Sequence, residues 1–364
     1  MLAKMCLPDF DVCSAMNDHL PNDCLTDDAC LTGNDVSDDF AHNFTHKDFT
    51  HKSVLLSETV AAVLGVNDLA HANLATGTFV DATFGRGGHS RLLLKYLHDD
   101  ARLLVFDKDP EAIAVAQALA GHDPRVKVIH DSFAHLTQQL QQLGIEHVDG
   151  IMADLGVSSP QLDDASRGFS FMRDGAVDMR MDTSQGQSVG EWLSSVDETT
   201  LANILYEYGE ERHSRRIAKA IKQMDSYSST LELAEVIKQA HPNWQKGKHP
   251  ATQSFQAMRI FINNELGDID TFLHQSIQAL NTGGRLAVIS FHSLEDRRIK
   301  QFLQNHSKGQ YLEDAILPIP PKRPKYFAKP KRIAPSRQEM HTNPRARSAW
   351  LRFAVRSDVR HQMG

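Results

Sequence analysis

The sequence predicts an open α/β fold, in which a parallel sheet is covered by helices on both faces and interrupted by an all-helical insertion. Three observations predict it. Short apolar runs at residues 78–82, 102–107, 126–130 and 148–154 alternate with helical patterns. The alternation then breaks into a polar loop and a wholly helical stretch, and one more strand follows near 285–291. Finally, the first apolar run ends in Asp81 and passes into Ala82-Thr83-Phe84-Gly85-Arg86-Gly87-Gly88-His89-Ser90, which opens a helix. Glycines at such a turn let backbone approach a ligand closely, and the helix start offers unpaired N–H groups to it. The loop is of the nucleotide-binding type.

Each element has its own signal. Ser57 is the expected cap of a first helix running to Leu64, with Gly65 as its stop. After the glycine loop a helix is expected over 88–97. Arg102–Asp107 is a second strand, and Pro110 begins the helix behind it, a favoured first helical residue. Val126–His130 is a third, with Ser132 capping a helix that Gly144 ends. Val148–Asp154 is a fourth. Residues 163–188 read as a polar loop with aromatic punctuation, and 189–240 as helices, with Asp197 as an N-cap, Gly209 as a C-cap and Pro242 as a stop. Helices near 268–280 and 294–303 flank the strand at 285–291, and Ser348–Val355 is the expected last strand. The implied division is an acidic disordered leader (1–50), a sheet domain (51–162 and 256–355), an inserted loop and helical domain (163–255) and a tail (356–364).

Composition narrows the class. A hydrophobic fraction of 41% is ordinary for a globular protein, and no apolar run approaches the ~20 residues that span a bilayer. The first residues lack the apolar core of a secretion signal, so a cytoplasmic protein is expected. The net charge of −7 is unevenly spread: residues 1–50 carry −8, and the stretch from Pro321 to the end carries +10. The basic segment 317–347, rich in Pro, Lys and Arg, points to a polyanionic partner. All four cysteines, Cys6, Cys13, Cys24 and Cys30, lie in the leader at spacings that match no zinc motif. No metal and no thiol nucleophile is expected in the folded part. The sequence carries no signal for an oligomeric state.

The acids select the cofactor. Asp107 ends the second strand, nineteen residues after Gly88, where it can hold ribose hydroxyls of either a dinucleotide or S-adenosylmethionine. Ser90 stands where a dinucleotide fingerprint wants its third glycine. Asp81 at the tip of the first strand would repel a pyrophosphate but suit a sulfonium and an ammonium group. S-adenosylmethionine is therefore the expected cofactor. Phe133, after the third strand, is placed to meet an adenine. The fourth strand ends in Asp154-Leu155-Gly156-Val157-Ser158-Ser159-Pro160-Gln161. In open sheets the ligand lies off the carboxyl ends of the strands, so this loop faces the transferred group. Its stiff, polar form is similar to the Asp-Pro-Pro-Tyr loops of enzymes that methylate exocyclic amines. Acceptors on the N–H groups of such an amine make its nitrogen more nucleophilic. Asp154 and the Ser158-Ser159-Pro160 backbone are the candidates.

Together these blocks resemble the ribosomal RNA small subunit methyltransferase H (MraW) family. The resemblance runs over about 51–355 and includes His51–Leu56, Asp81–Ser90, Asp154–Asp164, Arg167–Gly175 and Asp178–Asp182. It continues through Tyr208–Arg212, His249–Thr252, Phe255–Ala257, Ser290–Arg297 and Asn343–Ser348. It implies a Rossmann-like S-adenosylmethionine-dependent methyltransferase sheet with an inserted all-helical domain, forming N4-methylcytidine in 16S rRNA of the small ribosomal subunit. The cofactor contacts it implies fall on Gly87, Gly88, His89, Asp107, Phe133, Asp154 and Gln161. A base whose amine is methylated must leave its stack for a pocket. Phe169 and Phe171 are expected to stack on it, Arg167 and Arg173 to hold flanking phosphates, and His292 to stand at the mouth with Glu295 and Asp296. Two departures stand out: Gln253, where the family usually has Arg after His-Pro-Ala-Thr, and the acidic leader.

Overall fold

A computed structural model describes residues 53–242, 249–308 and 324–358. The expected leader with its four cysteines, the block His51-Lys52, the first part of the basic segment and the last six residues lie outside the described residues.

Helix α1 (Leu56–Leu64) packs its buried face, Thr59, Val60, Ala62 and Val63, beneath the sheet. Its cap is not Ser57, which is inside the helix. Leu55 takes the left-handed turn instead (φ 50°), its N–H donating to Glu339 Oε1 at 2.7 Å and its carbonyl accepting from the Thr59 hydroxyl. Gly65 ends the helix at φ 78°. Then come β1 (Thr78–Asp81), α2 (Gly88–Leu94), β2 (Arg102–Asp107), α3 (Pro110–His122), β3 (Val126–His130), α4 (Leu136–Gln142) and β4 (Val148–Asp154). Ser132 caps a short 3-10 turn ahead of α4, and α2 stops three residues earlier than expected.

Past β4, α5 (Ser159–Asp163) is a single turn, followed by the loop and by α6 (Val189–Ser195), α7 (Glu198–Gly209), α8 (Ser214–Ile221) and α9 (Thr230–Ala240). Asp197 caps α7 as expected, through Thr200 N–H. Gly209 is not its C-cap: Glu210 takes the left-handed position, and Gly209 instead lets α7 approach α10 (Ala251–Ile262), since a Cβ there would meet Gln253 O at 2.7 Å. The helical segment has its own apolar core, built on Trp192, Leu193, Leu205, Ile217 and Leu233. Helix α10 serves two cores, with Phe255 and Met258 in the helical one and Ile260 in the sheet's.

The rest comprises α11 (Glu265–Ala279), β5 (Leu280–Ser290), α12 (Ser293–Lys308), β6 (Lys331–Ile333), α13 (Arg337–Thr342) and β7 (Trp350–Val355). The sheet order is β3-β2-β1-β4-β5-β7-β6. The first five strands are parallel, and β7 lies antiparallel to both β5 and β6. The basic segment is thus partly built into the fold, as β6 and α13. Strand order reverses between β1 and β4, and a crevice opens off the strand ends at that switch point.

Candidate active site

Asp81, Asp107 and Asp154 end β1, β2 and β4, so the parallel sheet delivers their carboxylates to one edge. A cavity of about 210 Å³ opens there. Of the residues predicted from the sequence it is lined by Gly88, His89, Asp107, Phe133, Asp154, Ser158, Ser159, Pro160 and Gln161.

The glycine loop turns as its composition requires. Gly87 sits at φ 77°, where a Cβ would strike the Phe84 ring at 2.6 Å. Asp107 accepts from Gly85 N at 2.7 Å and Asp109 N at 2.9 Å, which fixes the loop to the end of β2. Burial, against these N–H groups, raises the proton affinity of Asp107. His89 is buried, with Nε2 3.1 Å from Val54 O and Nδ1 facing Asp154 Oδ2 at 3.8 Å. Phe133 meets Phe272 edge-on at 5.1 Å and presents its other side to the cavity. Gln161 is held rigidly: Oε1 accepts from Ser158 N at 2.8 Å and Nε2 donates to Asp109 Oδ2 at 2.7 Å.

Asp81 does not line the cavity. It is 2% exposed, accepting from the Ser90 hydroxyl at 2.6 Å and Thr83 N at 3.2 Å. Burial pushes it up to about 6, with Asp107 adding to the effect. From outside the cavity it raises the proton affinity of Asp154. The preference for a cationic ligand does not depend on it alone, because Asp107, Asp109, Asp131, Asp154, Glu265, Asp268 and Glu295 all line the cavity. Arg86, Lys108 and Arg345 share the wall, and Asp109, Glu265 and Asp268 are paired with Arg167, Arg259 and Lys108. The acid excess is therefore smaller than the count of carboxylates but still suits a sulfonium and an ammonium group better than a pyrophosphate.

The loop after β4 differs from expectation. Residues 159–163 turn at once into α5, where the Ser158 and Pro160 carbonyls accept from Leu162 and Asp164 N–H groups and the Ser158 hydroxyl caps Gln161. Those carbonyls serve the helix. What the site leaves unpartnered is a different set of buried oxygens: Asp154 Oδ1, Ser159 Oγ and Glu295 Oε1, all on residues that line the cavity. Buried polar atoms without partners are costly, and three of the eight such atoms among the described residues belong to the wall of this one cavity. They fit a ligand rich in hydrogen-bond donors.

The sequence places Glu295 only near the mouth; the structure makes it part of the wall. It is fully buried, with Oε2 accepting from Phe291 N at 2.8 Å and His292 N at 3.3 Å. Its Oε1 lies 3.1 Å from His292 Nε2, at an angle that leaves both atoms without a hydrogen bond. Burial alone would raise the Glu295 carboxyl, but His292, Arg259 and the Phe291 N–H outweigh it and hold it below the usual range. Asp154 goes the other way: burial, then repulsion from Asp81 and Glu295, raises it well above the usual range. His292 itself does not line the cavity; its ring backs Glu295. Glu265, His292 and Glu295 bring ligand atoms within 4.8 Å of one another, a spacing suited to a cation. Arg259 already meets both oxygens of Glu265, at 2.7 and 2.8 Å.

The predicted RNA contacts are largely redirected. Arg167 is 7% exposed, donating to Asp109 Oδ2 at 3.0 Å and to the Arg180 and Met181 carbonyls. Phe169 is also 7% exposed, in the helical core beneath the Arg167 guanidinium. Neither reaches an RNA from there. Phe171, half-buried, packs on His249 and Phe255 at 4.6 and 4.8 Å between centroids. Arg173 remains exposed, with one bond to Asp163 O. The residue that sequence reasoning missed is Asp109, which caps α3 through Glu111 N and gathers Gln161 and Arg167. Its only signal was its place before Pro110.

The family model of the MraW methylases matches residues 48–357 of this chain. Over 319 residues the chain is 72% identical to Ribosomal RNA small subunit methyltransferase H of Psychrobacter arcticus, spanning 85% of this chain and 96% of that protein. The protein of the same name from Acinetobacter baumannii is 56% identical over 309 residues, 84% of this chain and 98% of that one. Among solved structures, an rRNA methylase from Streptococcus thermophilus aligns at 11% identity and a TM-score of 0.36, over 83% of this chain and 94% of that one, too loosely to argue from.

Proposed function

The chain belongs to the MraW methylase family, and from that premise we propose that it methylates the exocyclic N4 amine of a cytidine in 16S rRNA, in the decoding region of the small ribosomal subunit. The cofactor is S-adenosyl-L-methionine, and a substrate of this kind is met in the cytoplasm. Among the described residues no helix is long and apolar enough to cross a membrane.

The observation that carries the chemistry is the pair of buried carboxylate oxygens without a hydrogen bond on one cavity wall, Asp154 Oδ1 and Glu295 Oε1, the latter backed by His292 Nε2 at 3.1 Å. When bound, the cofactor supplies an electrophilic methyl group on a positively charged sulfur. Gly87, Gly88 and His89 would shape the loop against it, Asp107 would hold its ribose, Phe133 would pack on its adenine, and Gln161, fixed by Asp109, would close the wall. An aromatic amine is a poor nucleophile because its lone pair is shared with the ring. Asp154 Oδ1 accepts one amine hydrogen and Glu295 Oε1 the other, which draws the nitrogen towards tetrahedral geometry. Glu295, the carboxylate with the lower proton affinity, is ionised at neutrality and takes up the proton that the nitrogen loses. Ser159 Oγ is a third polar group for the base or the cofactor. The inserted segment 163–255 contributes the RNA-facing side, with Phe171 and Arg173 at its loop.

Incubation with methyl-labelled S-adenosylmethionine and small subunits lacking the modification, followed by nucleoside analysis, tests this directly. Label is expected in N4-methylcytidine. Label in another nucleoside would overturn the target, and no label with RNA binding intact would point to a ribosome assembly factor without catalysis.

A further inference from the structure

The segment entering α8 carries four cations at helical spacing, Arg212, Arg215, Arg216 and Lys219, and all four are exposed. The opposite side of α8, Ser214, Ile217, Ala218 and Ile221, is buried in the helical core. The helix is pinned by its apolar face and turns its charges outward. Among the described residues none of the four has a salt bridge or a side-chain hydrogen bond. Like charges three and four residues apart cost about 0.2–0.5 kcal/mol per pair when nothing neutralises them. Three other cations expected to meet RNA are already engaged, Arg167 on Asp109, Arg345 on Asp163, and Arg332 over the Trp350 ring at 3.9 Å, whereas Arg173, Arg337 and Arg347 are exposed but do not share one helix face.

The stripe also begins beside the site. Glu210, two residues before Arg212, accepts from Arg297 Nη2 at 3.0 Å and from the Ser293 hydroxyl at 3.2 Å. Ser293 and Arg297 flank His292 and Glu295, the latter in the cavity wall. Four residues before Glu210, in the last turn of α7, Tyr206 stands 62% exposed, an aromatic face on which an unpaired base can stack.

We propose that Arg212, Arg215, Arg216 and Lys219 form a docking stripe for the phosphate backbone of the target RNA, leading to the cavity rim at Glu210–Ser293. It rests on the RNA methylation proposed above and adds the surface that presents the strand. Phosphate contacts of this kind give affinity and register without base selection.

The test replaces all four residues with Gln and follows binding of a 16S rRNA fragment against salt concentration, with S-adenosylmethionine binding and thermal melting alongside. Each phosphate that the protein no longer neutralises lowers the salt slope by about 0.7–0.9, so a drop of up to about 3 is expected, with at least about tenfold weaker binding at low salt and unchanged cofactor affinity. Arg215→Gln with Lys219→Gln should give about half that drop, and this milder pair decides should the fourfold variant melt early. A control with the same charge loss at Arg91, Lys95, Arg102 and Lys127, also exposed, should bind RNA normally. A wild-type slope in both stripe variants, or an equal loss in the control, overturns the stripe while leaving the methylation reading intact. Wild-type protein that neither binds RNA nor transfers methyl overturns both.

Discussion

Asp154 and Glu295 face one cavity with proton affinities pushed in opposite directions, and the proposed chemistry depends on that difference. Glu295→Gln removes the proton acceptor but keeps the shape; kcat should fall by about 10²–10³, the cost typical of losing one electrostatic group at a reacting centre, with cofactor affinity close to wild type. Asp154→Ala should abolish transfer and leave RNA binding largely intact; normal turnover in that variant would remove Asp154 from the mechanism. Asp81 makes a separate prediction. Its pKa in the fold is about 6 against an ordinary 3.8, so the fold favours the protonated form. That contribution is complete below about pH 4 and is lost as pH rises through 6. Asp81→Asn, which can still accept from Ser90, removes it, so the variant should gain roughly 3 kcal/mol on wild type between pH 4 and pH 7. Melting curves of the two proteins that stay parallel across that range would refute the burial argument. At this scale the strand-end acids were legible, because an apolar run followed by an acid and a turn has few other meanings. Which acid faces the ligand was not, because a difference of one layer in depth leaves no mark on spacing.

Among the elements, the loop between α5 and α6 shows where sequence reasoning fails. Arginine with aromatic residues in a polar loop looks alike whether it meets RNA or folds inward. The choice was made by Asp109, 58 residues away in sequence, whose buried carboxylate needs a cation. Arg167→Ala leaves that charge uncompensated and should cost about 3–5 kcal/mol, read by denaturant titration. It should also weaken cofactor binding, since Asp109 orients Gln161, yet leave the salt slope of RNA binding unchanged; a changed slope would restore Arg167 as a phosphate ligand. Strand β6 was missed for a related reason. Lys331-Arg332-Ile333 is short and mostly charged, which protects an exposed sheet edge and hides the strand from any apolar pattern. The parallel strands β1, β2 and β4, largely buried, and the edge strand β3 were legible almost to the residue.

For the whole molecule, the family match begins at residue 48. Removing the residues before it should leave methyl transfer unchanged, in a comparison of the truncated and full chains on small subunits; a large loss would give the acidic leader a role. The two ends of the described chain also converge on one place. Ser53 and Arg345 both line the cavity, Glu339 holds Leu55, and β7 pairs with β5, the strand that leads to Glu295. Translation runs from the N-terminus, and β1 to β4 with their acids emerge long before these closing pieces leave the exit tunnel. Until then β5 is an open edge and the cavity lacks a wall. The site is therefore complete only once residues 339–355 have folded back onto the sheet that carries the strand-end acids.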